Sequence, residues 1–457
     1  PRASCYREPL PSPLPNVCHP PMSTPEFVQW FREAAPYIHA FRGRIFVIAF
    51  GGEVVSQGKF AGLSYDLNLL VSMGVRIVLV HGARPQAEAL LAAHGLQTRF
   101  HGACRITDPD TLEVVKQAVG VTRADIEAGL SMALPNSPMA GANLRVAGGN
   151  YLVARPMGVR DGVDMQSTGQ IRKIDTPGIH ARLDAGELVM LSTLGYSPSG
   201  EIFNLTLEEV AAATAIALKA EKLIFLTDTP GIMDQHGELL RQLTASEAEQ
   251  FLQEHADEHS DAAVYLPQAI RATRQGVKRA HLISHRTDGA LLTELFTHDG
   301  IGSMISPEPL VRLREATIDD IGDILSLIEP LERLGTLVKR GREQLEMEIQ
   351  KFSVLEHDGR IIACVAMNHF ADEGMAELAC LAVDPEWAGE GYGETLLRHV
   401  ETQARALNVA TLLVLTTQTA HWFVERGFVA GDISELPRAK QKIYNYQRRS
   451  KVFFKKL

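Results

Sequence analysis

Apolar runs of strand length recur through the first two-thirds of the chain, each followed by a helix-forming stretch. This alternation restricts the fold more than any other feature. Ile45–Phe50 is almost wholly apolar and ends in Gly51-Gly52. Arg76–Val80 leads into His81-Gly82, and Lys222–Thr227 into the turn signal Asp228-Thr229-Pro230-Gly231. A strand apolar on both faces belongs in a largely parallel sheet covered on both sides, because crossover helices bury each face. The segments between carry helical spacing. Leu63, Leu67, Leu70 and Val71 fall on one face, and Pro85 opens a helix carrying Ala87, Leu90 and Leu91 that Gly95 closes. Phe27–Tyr37 reads as an amphipathic helix ending near Pro36. Thr206 and Glu209 read as a capping box opening an alanine-rich helix to Lys219.

The pattern changes after Pro307 and Pro309. A strand (Val311–Glu315) and a helix (Ile318–Leu327) lead to two strands, Phe352–His357 and Arg360–Phe370, joined by the hairpin signal Asp358-Gly359. Glu377–Val383 and Leu412–Thr417 read as further strands, and Glu394–Leu407 and Trp422–Arg426 as helices. That is an α+β domain. The expected division is 22–305 for the first domain, 306–310 for a linker and 311–457 for the second, and a chain of 457 residues has room for both. Residues 1–21 hold seven of the 23 prolines and no signal-type apolar core. They read as a disordered extension outside the fold.

Composition excludes several classes. No apolar run approaches bilayer-spanning length. The net charge of −10 argues against a general nucleic-acid binder. Five cysteines without a C-x-x-C pair suit a reducing cytoplasm and give neither a disulfide framework nor a metal site.

The sharpest local signal is Gly389-Glu390-Gly391-Tyr392-Gly393, between a strand and a helix. Glycines at alternate positions let the backbone turn tightly, and N–H groups at a helix N-terminus bind phosphate oxygens. With the preceding strand and Trp422–Phe428, this run resembles the pyrophosphate loop of the GNAT acetyltransferases. Ala388 stands where that family has Arg or Gln, Glu390 adds a negative charge, and Phe423 replaces a tyrosine used as general acid. The resemblance implies acyl transfer from acetyl-CoA to an amine, with acetyl-CoA as co-substrate and no metal. It further implies a pyrophosphate site at Gly389, Gly391 and Gly393, and a pantetheine arm along the backbone of Cys380, Leu381 and Val383. Glu377 would act as the base that takes the amine's proton. Thr416 and Thr417 end the next strand, in position to hydrogen-bond the acceptor or the thioester.

From Leu436 to Leu457 there are eight bases and no acid, interleaved with Tyr444, Tyr446, Val452, Phe453 and Phe454. The segment reads as a folded terminal strand whose arginines suit carboxylates. Tyr444–Lys451, together with Arg312–Ala316, resembles bacterial N-acetylglutamate synthases. That likeness implies L-glutamate as acceptor, with Arg314, Arg448 and Ser450 holding it.

The first domain resembles the amino-acid kinase family on Gly51-Gly52, His81–Gln86, Arg105–Asp108, Asn204 and Leu226–Gly231. Ala49, Ala83, Arg84 and Gln268 stand where those kinases carry two lysines and two glycines, which argues against phosphoryl transfer. Tyr37, His281, Glu294 and Gly300 resemble the arginine site of arginine-inhibited N-acetylglutamate kinases. L-arginine is therefore the implied effector, Glu294 the implied partner of its guanidinium, and a cytoplasmic homo-oligomer, a hexamer, the implied assembly. The fold class expected is α/β: an amino-acid kinase-like three-layer α/β/α domain with a mainly parallel sheet, followed by an α+β GNAT domain. Two readings stay open beside the acetyltransferase. One is a non-catalytic arginine sensor, which Ala388 and Phe423 keep in play. The other is a working N-acetylglutamate kinase, disfavoured by Ala49 and Gln268.

Overall fold

The structure, a computed structural model, describes residues 24–102, 104–255, 260–297, 300–308, 311–357, 359–446 and 448–457. The proline-rich residues 1–21, Pro309 and Leu310 of the expected linker, Asp358 of the expected hairpin turn and Gln447 lie outside them. The chain divides into two compact units between Glu308 and Pro309.

In the first unit Ile45–Phe50 is the middle of an eight-stranded sheet. It pairs in parallel with Arg76–His81 on one side and Lys222–Thr227 on the other. All strand pairs of this sheet are parallel except Arg279–Ser284 with Ser303–Ser306. The side chains of Ile45–Phe50 alternate between two cores. Val47 and Ala49 pack with Val210, Ala211, Leu266 and Ala269 from the helices Leu207–Ala217 and Asp261–Arg274. Phe46, Ile48 and Phe50 pack with Phe41, Leu67, Ile126 and Leu291 from helices on the opposite face. The apolar runs are thus strands buried on both sides, the three-layer arrangement expected of them.

Two local readings need correction. The first helix runs Thr24–Phe41 and does not stop near Pro36. Proline removes one hydrogen bond, and the packing of Phe41 against Phe46 and Phe296 carries the helix past it. The capping box at Thr206 is not formed. Glu209 instead accepts a hydrogen bond from the Ile171 amide at 3.0 Å, and Thr206 makes no side-chain cap.

The second unit is a seven-stranded sheet in the order Val311–Glu315, Phe352–His357, Arg360–Phe370, Met375–Val383, Thr411–Thr416, Lys451–Lys456, Val429–Gly431. Helix Tyr392–Ala406 covers one face through Leu396, Leu397, Val400 and Ala404. Ile321–Arg333 and Arg342–Glu348 cover the other through Ile321, Ile324, Ile328 and Leu345. The basic tail is not one long strand. It forms a short helix (Arg438–Lys442), a turn in which Tyr444 and Tyr446 meet edge to face, and a strand only from Lys451.

Arg314 ties the first strand of this unit to its first helix. Its guanidinium forks onto both oxygens of Asp320 at 2.7 and 2.8 Å, and its Nε donates to Glu356 at 2.6 Å. Asp320 also accepts from the amide and hydroxyl of Thr317. Arg314 first, then the Thr317 hydrogen bonds, hold the Asp320 carboxyl down at about 2 against burial, from a reference of 3.8. The stability this confers is complete above about pH 4 and is lost as pH falls through about 2. It is worth about 2 kcal/mol. We predict that Asp320→Ala lowers the stability of this unit by about that amount at pH 7, and by progressively less in melts run from pH 4 to pH 2. A constant difference across that range would remove the assignment.

Candidate active site in the second unit

Two adjacent parallel strands of the second sheet part company halfway along. Met375–Val383 pairs with Thr411–Thr416 only from Met375 opposite Thr411 to Leu378 opposite Val414. On its other side the register slips: Cys364 faces Ala382 and Ala366 faces Ala379, so Cys380 and Leu381 share the single partner Val365. Such a bulge bends the strand carrying the extra residue. Cys380 takes the left-handed backbone, φ +53°, that this needs. Past Leu378 the backbone of Ala379–Val383 is therefore free of a parallel neighbour, and Ala379, Cys380, Leu381 and Val383 line an open cleft of about 1250 Å³.

At one end of the cleft lies the glycine loop. Asp384 accepts from the Glu386 amide and starts the turn Pro385–Trp387, which buries Trp387 as an anchor. Gly389 and Gly391 then sit at φ +102° and +81°, and Gly391 immediately precedes the 15-residue helix Tyr392–Ala406. A Cβ on Gly393 would lie 3.4 Å from the Trp422 ring. Gly391, Tyr392 and Gly393 line the cleft at the start of this long helix, where unpaired first-turn N–H groups suit an anion. Ala388 and Glu390 are exposed and supply no cation. The nearby base that lines the cleft, Arg426, stacks on Trp422 at 4.0 Å and pairs with Glu394.

At the other end is a buried ion pair. Glu377 is only 4% exposed and receives the Lys440 ammonium on both oxygens, at 2.6 and 2.8 Å, and the Asn368 amide at 3.0 Å. The expectation of a base on this strand thus meets a carboxylate inside the cleft rather than a solvated strand end. Thr416 shares a hydrogen bond with the Thr419 hydroxyl at 2.8 Å and accepts from the Thr419 amide. Ser450 is buried, and its carbonyl accepts from the Tyr444 hydroxyl at 2.7 Å. Arg448 donates to the carbonyls of Gly335 and Thr336. Burial first, then the neighbouring Arg340, pull its guanidinium below the usual range. Neither Arg340 nor Arg448 forms an ion pair among the described residues. Two guanidinium groups without ion pairs give this end of the cleft donors whose geometry suits a carboxylate.

Of the residues singled out from the sequence, Glu377, Thr416, Cys380, Leu381, Val383, Gly389, Gly391, Gly393, Arg448 and Ser450 line this one cleft. Arg314 does not. Asp320 and Glu356 take up its Nε and both terminal nitrogens, and it stands outside the lining. The sequence reading missed Arg340, Lys440 and Asn368. Lys440 was counted only as one base of the tail, and Arg340 sits in a charged run, Lys339-Arg340-Gly341-Arg342, that reads as solvated. Phe423 is buried against Trp422 and Phe428 and offers no hydroxyl. Among the described residues no group of three or more His, Cys, Asp or Glu could hold a metal ion.

The first unit brings His281, Glu294 and Gly300 together. His281 Nδ1 lies 2.7 Å from Glu294, and its Nε2 lies 3.2 Å from the Lys222 ammonium. Lys222 can only donate, so Nδ1 carries the proton and donates a hydrogen bond to Glu294. Burial, then Lys222, lower the His281 imidazole to about 4. The second Glu294 oxygen accepts from the amides of Ile301 and Gly302. Gly300 sits at φ +57°, and a Cβ there would come within 2.5 Å of that oxygen. Tyr37 neighbours Phe41, over whose ring Lys222 lies at 5.3 Å.

The corner where kinases hold phosphates is closed and acidic. Gln86 donates to the Gly52 carbonyl at 2.7 Å, and a Cβ on Gly51 would overlap the Glu53 carboxyl. Burial raises Glu53, and Asp228 and Asp261 add to the effect. Ala49 is buried in its strand, and Gln268 keeps an amide oxygen buried without a partner.

Residues 44–284 match the amino acid kinase family and 321–428 the acetyltransferase (GNAT) family. The chain is 40% identical to the N-acetylglutamate synthase of Neisseria gonorrhoeae, solved with coenzyme A and L-arginine. The TM-score is 0.88, over 94% of this chain and 99% of that one. A second structure of that enzyme, with coenzyme A and N-acetyl-glutamate, is 41% identical over the same shares of the two chains, with a TM-score of 0.61. The amino-acid acetyltransferase of Ralstonia nicotianae is 52% identical over 95% of this chain and 97% of its own length, and that of Azotobacter vinelandii 52% identical over 94% and 100%. At that level of identity over nearly its whole length, the chain belongs to the amino-acid acetyltransferase family.

Proposed function

We propose that this chain transfers the acetyl group of acetyl-CoA to the α-amine of L-glutamate, giving N-acetyl-L-glutamate and CoA, the first step of arginine biosynthesis, under allosteric control by L-arginine. The observation that carries the reading is the pairing, in one cleft, of a glycine loop at a helix start at one end with a buried carboxylate and two guanidinium groups without ion pairs among the described residues at the other. The Gly389–Gly393 loop holds the pyrophosphate, and the freed backbone of Cys380, Leu381 and Val383 holds the pantetheine arm. Arg340 and Arg448 bind the two carboxylates of the acceptor, with Ser450 beside them. Glu377 takes the amine proton as the amine attacks the thioester carbonyl, and Thr416 fixes the turn beside the reacting atoms. The Neisseria gonorrhoeae structures with coenzyme A, L-arginine and N-acetyl-glutamate support the same choice of ligands.

The arginine site is the cluster of Tyr37, His281, Glu294 and Gly300. Glu294 has one acceptor position left for a guanidinium after His281 and the two amides are served. The assembly is a cytoplasmic homo-oligomer, a hexamer, and exposed Trp30 and Phe31 on the first helix support association. No helix among the described residues is long and apolar enough to cross a membrane.

The test of the reaction is thiol release from acetyl-CoA with L-glutamate, against aspartate, glutamine and ornithine, with and without arginine. Glutamate-selective release that arginine alters is expected, and no release with any acceptor would overturn the proposal. Arg340→Ala and Arg448→Ala should each raise the glutamate KM about 10- to 100-fold, the worth of a charge-assisted hydrogen bond, while the acetyl-CoA KM stays within about twofold. An unchanged glutamate KM removes that residue from the clamp. Glu294→Gln should weaken arginine binding by about tenfold or more in calorimetry. Full arginine affinity in that variant would sink the assignment.

A further inference from the structure

The ion pair under the acceptor has a consequence for the amine itself. Lys440 sits on the helix Arg438–Lys442, which Gln441 ties down through hydrogen bonds to the carbonyls of Ser434 and Leu436 at 2.8 and 2.7 Å. Its ammonium reaches Glu377 across 63 residues of sequence and lines the cleft beside it. Glu377 is buried, so the partner is not a solvated surface charge. The similar pair Lys455–Glu401 lies outside the cleft lining.

An amino-acid acceptor arrives as an ammonium ion, which has no lone pair to attack a thioester. A lone buried carboxylate beside it would favour that charged form and hold the acceptor unreactive. Lys440 cancels the charge. A carboxylate offers about four acceptor positions. Lys440 takes one on each oxygen and Asn368 a second on Oε2, which leaves one on Oε1 for the acceptor amine.

We infer that Lys440 is a positioning residue that keeps the acceptor amine nucleophilic: its ammonium, paired with Glu377, removes the negative charge that would otherwise trap the acceptor as an ammonium ion. The inference rests on the proposed acetyl transfer to L-glutamate. One proton leaves the acceptor to water before attack. A second passes to Glu377 as the C–N bond forms and the C–S bond breaks. The sulfur keeps the bonding pair and is protonated by solvent. Arg340 and Arg448 carry the acceptor carboxylates, so Lys440 is not needed to bind them.

The test is steady-state kinetics of the full-length enzyme. Lys440→Met should lower kcat about 100-fold, the usual size of a proton-transfer contribution, with the glutamate KM unchanged or lower and the acetyl-CoA KM within about twofold. Lys440→Arg restores the charge and should recover kcat to within about tenfold of the parent. The double variant Glu377→Gln with Lys440→Met carries neither buried charge. It avoids the unpaired buried carboxylate that could unfold the single Lys440→Met variant, and should match Glu377→Gln alone within about threefold in kcat, because no charge is left to cancel. A raised glutamate KM with kcat held would make Lys440 a carboxylate clamp and overturn the inference. So would losses that multiply in the double variant. If the unmodified enzyme releases no thiol with glutamate, the acetyl-transfer reading fails first. If that enzyme is active and Glu377→Gln is fully active too, the base assignment fails while acetyl transfer stands.

Discussion

The separation of two parallel strands beyond Leu378 is the constraint on which the rest of the active site depends. Parallel strands ordinarily satisfy each other's backbone groups along their whole length. Here the bulge at Cys380 and Leu381 bends one strand away, and beyond Leu378 its backbone has no strand partner on that side. The glycine loop and its helix follow directly from that strand, so the anion site lies in line with the freed backbone. The basic tail returns as a strand on the far side of Thr411–Thr416 and brings Arg448 and Ser450 to the same opening. A register slip of a single residue thus accompanies a cleft whose lining runs from Gly335 to Ser450.

Much of this was legible in the sequence, for identifiable reasons. Lys222–Thr227, Phe352–His357 and Arg360–Phe370 were readable to the residue, because their apolar runs end at turn residues. The glycine loop was readable because left-handed backbone at Gly389 and Gly391 is a local demand that only certain residues meet cheaply. What was not legible is what two distant segments decide together. Nothing local marks the bulge at Cys380, since a register slip belongs to a pair of strands. Arg314 sat in a stretch resembling a substrate-binding motif, yet Asp320 and Glu356 claim its guanidinium. Thr206 and Glu209 had the spacing of a cap, but an amide on a neighbouring strand took the glutamate.

The first unit separates fold from chemistry. Its parallel sheet and two apolar cores need only buried strands and covering helices, and all of these persist. Phosphoryl transfer needs lysines and open glycine turns at the ends of the strands, and there the chain carries Ala49, Gln268 and a Gln86 side chain folded over Gly52. Ala49 and Ala83 are small, apolar and buried within apolar clusters, so the packing holds without a lysine or glycine at either position. A scaffold kept intact in this way is free to present another cluster, and His281, Glu294 and Gly300 form one at a different strand end.

The protonation state of His281 sets the hydrogen bonds of that cluster. With its imidazole held at about 4 by burial and Lys222, it stays neutral from mildly acidic to alkaline conditions. Its proton stays on Nδ1, committed to Glu294, and Glu294 in turn fixes the amides of Ile301 and Gly302. An ordinary histidine here would have made the loop loosen and tighten with every swing in cell acidity. This one stays neutral through such swings, so the hydrogen bonds that hold the loop do not change with them.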